Sequence, residues 1–399
     1  MATDALVLIN EKGRHSNEII NDMISKYSRI DGRDRALFVK LIHGTLEYQI
    51  QIDYIINLYS KIKIEKMKPY IRNLLRMSVY QLLYLDKIPD NSICDEAVKL
   101  IKKTAFNGLA GFVNGVLRTI ARESDSIVIN DPCLTYSVKE WMYDLLVDTV
   151  GKLKAEEFLA YSLNEHGVSA RIVGTDNVFV LDDPSETIVS DKWTNGELII
   201  QDYSSTLPVV LADIKPGQVV IDVCASPGGK SIQASEKVGE NGTVISCDIS
   251  DNKITKIRDN IERLKVTNIR TCIQDATVRN ADFIRYADVV IADCPCSGIG
   301  TISKKPEIKT RLSLDDCITL SGIQLSILSN VSDYVKDGGK LVYSTCTLDH
   351  FENEDNVRKF LFDHSDFYLL EEKVMVPYEN NEMPFDGFYI AVMEKKCLI

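Results

Sequence analysis

Apolar residues along PYIRNLLRMSVYQLLYLDKIP (69–89) recur at Ile71, Leu74, Leu75, Val79 and Leu82. With Ser78 these positions share one face of a helix with a 3.6-residue period. Pro69 suits a helix start, and Pro89 lies just past the stop. GFVNGVLRTIAR repeats the pattern with Phe112, Val113, Val116, Leu117 and Ile120. Between them NSICDEAVKLIKK opens on Ser92 and Asp95, which read as a capping pair. Residues 1–125 are therefore expected to form an all-α bundle, a fold that by itself implies no chemistry.

The pattern then changes. In residues 126–195, YSVKEWMYDLLVDTVGKLKAEEFLAYSLNEHG reads as a helix pair broken around Gly151. Short strand-like pieces, VSARIVG and NVFVL, follow, so this region is expected to be a small α+β linker subdomain. In residues 196–399, apolar runs QVVIDVC, TVISCD, IRTCIQD, ADVVIAD, KLVYST and FYIAVM alternate with helical stretches such as KITKIRDNIERLK and LSGIQLSILSNVSDYV. Such alternation predicts an α/β, Rossmann-like domain with a mostly parallel sheet. Ligands of these sheets bind beyond the carboxyl ends of the strands.

Candidate chemistry falls at those ends. The first strand runs into DVCASPGGKS (222–231), whose GGKS tail looks like a phosphate-binding P-loop. That motif needs a glycine five residues before Gly229, where Cys224 stands, and Pro227 has no N–H to donate. The glycines fit another role: close backbone approach to a ligand at a helix N-terminus. The next strands end in Asp248, Asp275 and Asp293, and Asp222 lies within the first. An acid about twenty residues past the glycines typically grips ribose hydroxyls. The set suits a ligand with a ribose, an adenine amine and a positive centre, and suits a pyrophosphate poorly. S-adenosylmethionine has those features. Any single one of these aspartates could instead only cap the next helix.

DCPCSGIGT (293–301) follows the fourth strand and YSTCTL (343–348) ends the fifth, so Cys296 and Cys346 both lie at the same rim. Paired cysteines beside an aspartate suit thiolate chemistry. Methylation of a pyrimidine at carbon 5 needs such a set. A thiolate added to carbon 6 makes carbon 5 nucleophilic, and an acid near the ring stabilises the developing charge.

Charge refines the picture. The chain is net −12, yet residues 1–125 hold 19 Lys/Arg against 15 Asp/Glu, and the remainder holds 27 against 43. Any nucleic acid must then rely on the N-terminal part and on local basic loops. SKKPEIKTRLS, with Lys304, Lys305, Lys309 and Arg311, is one such loop and a candidate RNA contact; a solvated surface loop is the alternative. Ten cysteines without C-x-x-C or a zinc spacing predict reduced thiols and no structural metal. No apolar run is long enough for a membrane span and no secretory signal is present, so a soluble cytoplasmic protein is expected.

DVCASPGGKS, DCPCSG and YSTCTL resemble motifs of the Sun-type family of RNA cytosine-5 methyltransferases. QDYSSTLPVVLADIKPGQVV (201–220) and the ENE of 352–354 also fit, and DRALFVKLIHGTLE and GFVNGVLR resemble a NusB-type helical domain carried by a bacterial branch of that family. That branch methylates a cytosine in small-subunit (16S) rRNA. The resemblance implies a NusB-like RNA-binding domain (1–125), a linker (126–195) and a class I S-adenosylmethionine-dependent catalytic domain (196–399). It makes Cys346 the nucleophile and Cys296 a helper in product release. Asp293 would bond the cytosine ring and lie near the cofactor. Cofactor contacts would come from Cys224, Ala225, Ser226, Pro227, Gly228, Gly229 and Lys230, from Asp248 on the ribose and from Asp275 near adenine. DNA cytosine methyltransferases take their nucleophile from a Pro-Cys segment, here Cys296, and spacing alone leaves both thiols open.

Ala225-Ser226 replaces the family's usual two alanines, RIVGTDN replaces an arginine–x–asparagine strand, and LDHFENE lacks a proline and glutamate often found there. A tRNA cytosine-5 methyltransferase and a non-catalytic RNA-binding assembly factor are the competing readings. A monomer is expected.

Overall fold

The computed structural model describes residues 1–27, 31–164, 166–378 and 383–397. The chain divides into two compact units, one of residues 1–144 and 302–311, the other of 145–301 and 312–399. The 126–195 stretch thus falls across both.

The first unit is helical. Its main helices are Ala2–Lys12, Ser16–Lys26, Gly32–Glu47, Gln49–Tyr59, Pro69–Tyr84, Asp90–Lys102 and Ala110–Glu123. Ile71, Leu74, Leu75, Ser78 and Val79 are buried on the expected face, as are Val113, Val116, Leu117 and Ile120 on theirs. The apolar ones join one core with Leu6, Ile9, Ile42, Leu46 and Ile52. The start expected at Ser92 is corrected: the helix begins at Asp90, behind Pro89 in an extended conformation, with no side-chain cap.

The second unit carries two sheets. A small antiparallel sheet, order β2-β1-β3, comprises β1 (Ser169–Ile172), β2 (Val178–Val180) and β3 (Leu198–Ile200). The main sheet comprises β4 (Val219–Asp222), β5 (Thr243–Asp248), β6 (Ile269–Ile273), β7 (Ala287–Asp293), β8 (Val335–Thr345), β9 (Phe367–Met375) and β10 (Phe388–Lys395). Its order is β6-β5-β4-β7-β8-β10-β9. β4 to β8 are parallel, and β10 and β9 close one side antiparallel. The central strands are apolar almost throughout because helices cover both faces. Leu328, Val331 and Phe360 pack on one face, and Val209, Ala234 and Val238 on the other. The strand order reverses between β4 and β7, and a ligand crevice belongs at their carboxyl ends. Among the described residues, no helix is long and apolar enough to cross a membrane.

Candidate active site at the carboxyl ends of β4 to β8

The loop after β4 is tied down by its own backbone. Ala225 N donates to Cys247 O on β5 (2.9 Å), and Gly228 N to Ala225 O (2.7 Å). Gly228 has φ +107° and ψ 2°, and it caps the helix Gly229–Val238. That backbone explains the glycine, since a side chain is strained there. Ser226 N donates to Asp248 Oδ2 (2.9 Å), and the other oxygen of Asp248 accepts from Ile249 N (2.8 Å) and pairs with Lys253 (3.0 Å). Asp248 therefore orders the loop from the end of β5. Asp275, past β6, accepts from the Thr277 hydroxyl (2.7 Å) and N–H (2.9 Å), and the hydroxyl bond is the first cause holding its pKa below the usual carboxylate value.

Lys230 settles the P-loop question. Its Nζ donates to Asp293 Oδ2 and to Ser205 Oγ, both at 2.7 Å. A lysine engaged by a carboxylate is not held out for phosphates. The side chain of Lys230 is 9% exposed and that of Asp293 29%. Asp293 Oδ1 accepts from Ser344 Oγ (2.7 Å), its cross-strand partner on β8. Asp293 is thus fixed at both oxygens, at the crevice mouth.

Deeper, Asp222 is fully buried and accepts from Ser231 Oγ at Oδ2 (2.7 Å), while Oδ1 has no partner. Burial, then the nearby charge of Asp293, pushes its pKa up to about 7. With a glycine-capped helix N-terminus and acids at successive strand ends, this donor set fits the ribose, amine and cationic centre of S-adenosylmethionine. It does not fit a polyphosphate.

The thiols meet. Cys296 Sγ lies 3.3 Å from Cys346 Sγ. Both residues are half-buried and stand beyond the ends of β7 and β8. The hydrogen bond with Cys346, then burial, raises the Cys296 pKa well above the usual thiol value. Behind them Cys294 is buried, its pKa raised first by its hydrogen bond with Cys224 and then by burial.

The expected residues are therefore gathered unevenly. Direct contacts join Lys230 to Asp293, Ser226 to Asp248, and Cys296 to Cys346. Asp275 stands apart, bonded within its own turn. Sequence reasoning missed Ser205 and Ser344, although both sit inside stretches already singled out, QDYSST and YSTCTL. It also missed Arg171, fully buried, whose guanidinium holds Glu236 at 2.7 and 3.0 Å and Gln201 at 2.8 Å.

The basic loop is a correction. Residues 302–311 belong to the helical unit. Lys309 is fully buried with Nζ donating to Tyr136 O (3.4 Å), and burial pushes its pKa down to about 8. Arg311 donates to Ile9 O and Arg14 O (2.6 Å each) and Gly13 O (3.3 Å), capping the end of the first helix. Both side chains satisfy protein carbonyls, so neither faces a phosphate. Lys305 remains exposed and Lys304 half-exposed.

Residues 209–393 match the family model described as 16S rRNA methyltransferase RsmB/F, and residues 1–122 match the NusB family. A probable ribosomal RNA small subunit methyltransferase B of Bacillus subtilis is 34% identical over 99% of this chain and 98% of its own length. Its counterpart in Synechocystis is 28% identical over 97% of both chains. The Proteus mirabilis ribosomal RNA small subunit methyltransferase B is 26% identical over 99% and 98%. The solved structure of PH0851 shares the fold, with a TM-score of 0.79 at 22% identity over 99% of this chain and 98% of that one.

Proposed function

This chain belongs to the S-adenosylmethionine-dependent 16S rRNA methyltransferase RsmB/F family, and from that premise we propose that it methylates carbon 5 of one cytosine in small-subunit rRNA through a covalent Cys346–cytosine intermediate. The observation that carries this reading is the thiol pair, 3.3 Å apart beyond adjacent parallel strands, with Asp293 pairing across to Ser344 two residues before Cys346.

S-adenosylmethionine supplies an electrophilic methyl on a positively charged sulfur. Cys346, as thiolate, adds to carbon 6 of the ring and so makes carbon 5 nucleophilic. Asp293, fixed by Lys230 and Ser344, accepts a hydrogen bond from the exocyclic amine of the cytosine and so orients the ring. After transfer the proton on carbon 5 passes to solvent water, its bonding electrons re-form the ring double bond, and Cys346 leaves as thiolate, stabilised by the Cys296 thiol 3.3 Å away. Cys296 assists that elimination. The target base must be unpaired or flipped out to reach the crevice. The NusB-like domain, net positive over 1–125, supplies further RNA contacts.

The test is methyl transfer from labelled S-adenosylmethionine to unmodified 16S rRNA and to tRNA, followed by nucleoside analysis. Label in 5-methylcytidine from 16S rRNA alone is expected. Label in tRNA, in another nucleoside, or in nothing would contradict the reading.

A further inference from the structure

The thiols sit on loops, not on strands, so something must hold them in register. Cys346 is bracketed by one side chain. Asn353 Oδ1 accepts from Thr345 Oγ1 (2.6 Å), and Asn353 Nδ2 donates to Thr347 O (3.0 Å). Cys296 is bracketed by two. Ser297 N donates to Glu352 Oε2 (3.0 Å), and Gln324 Nε2 donates to Pro295 O (2.9 Å). Gln324 Nε2 also donates to Glu352 Oε2 (2.7 Å), so those two braces are one unit. Ser297 Oγ and Thr347 Oγ1, 2.7 Å apart, tie the loops to each other.

Glu352, Asn353 and Gln324 are fully buried. None of the three can reach RNA or cofactor. Buried polar groups are kept paired because an unmade bond is costly, so each brace fixes its loop tightly. A displacement of about 1 Å at a reacting group can cost about a hundredfold in rate.

We propose that Asn353 and Glu352 are positioning residues that act on separate steps: Asn353 sets Cys346 for attack, and Glu352, through Gln324, sets Cys296 for release. This rests on the thiol roles proposed above.

The experiment follows both steps in Asn353→Ala and Glu352→Gln with unmodified 16S rRNA. A denaturing gel reads the protein–RNA adduct over time, and nucleoside analysis reads product. Glu352→Gln keeps an acceptor for Ser297 N–H but sets an amide against that of Gln324. Asn353→Ala is expected to slow adduct formation at least tenfold with S-adenosylmethionine affinity unchanged. Glu352→Gln is expected to form adduct at close to the parent rate and to resolve it at least tenfold more slowly. Asn353→Asp, which keeps the acceptor for Thr345, replaces Asn353→Ala if the latter does not fold, and should show the same selective loss. Equal slowing of both steps in both variants, or no change in either, would overturn the proposal. Absence of adduct in the parent and in Cys296→Ala would instead overturn the thiol roles themselves, and this proposal with them.

Discussion

Cys296 and Cys346 share a hydrogen bond across 3.3 Å, sulfur to sulfur. Removing either partner should therefore have a different consequence. On the proposed roles, loss of Cys296 leaves Cys346 able to attack and stalls elimination. Cys296→Ala incubated with 16S rRNA and S-adenosylmethionine should accumulate a covalent complex that survives a denaturing gel, while Cys346→Ala should form none.

Asp222 makes stability depend on pH. Its folded pKa of about 7 lies above the ordinary value of 3.8, with burial as the main cause. Between those values the folded state binds more protons than the unfolded one, so stability falls as pH rises and stays low above 7. Asp222→Asn still accepts from Ser231 and carries no charge. It should be more stable than the parent at pH about 8.5, by roughly 2–4 kcal/mol on the scale of 1.36 kcal/mol per pKa unit, and lose that advantage near pH 4. Urea unfolding at both pH values checks this.

The two glycines before Lys230 are not equivalent. A Cβ on Gly228 meets a left-handed backbone and Ile257 Cγ2 at 3.4 Å, whereas one on Gly229 meets only Gln201 at 3.6 Å. Gly228→Ala should lose about 1–2 kcal/mol from the backbone alone and weaken S-adenosylmethionine binding about tenfold as the loop shifts. Gly229→Ala should keep its fold. Calorimetric titration of both variants separates them.

The lysines of 304–309 should also separate. Lys305→Ala removes an exposed charge, so the salt dependence of rRNA binding should fall by about one unit of slope. Lys309→Met removes a buried ammonium and should leave RNA affinity unchanged. Filter binding across a salt series reads both.

The strands that carry the site were legible because their faces are buried on both sides, which leaves short apolar runs ending in Asp248 and Asp293. β9 was not, because Glu371, Glu372 and Lys373 break its apolar pattern; at a sheet edge those charges are tolerated and discourage further pairing. The loop of 302–311 was misread at Lys309 and Arg311, since sequence shows their charge but neither the burial of Lys309 nor the carbonyls that Arg311 meets. Nothing local announces that Glu307 caps the second helix by accepting from Ser16 N and Oγ, 291 positions away. The thiols and Asp293, to which reacting roles are proposed, were picked out through motifs. Their supports, Ser205, Ser344 and Gln324, needed three dimensions, because a hydroxyl or amide is an ordinary surface residue until its partner is known.

The most direct measurement is bisulfite sequencing of 16S rRNA from a source lacking the modification, after incubation with S-adenosylmethionine and the parent, Cys346→Ala or Cys296→Ala protein. The account predicts one protected cytosine with the parent and none with Cys346→Ala. Protection that survives Cys346→Ala and vanishes in Cys296→Ala would contradict it and exchange the roles of the two thiols.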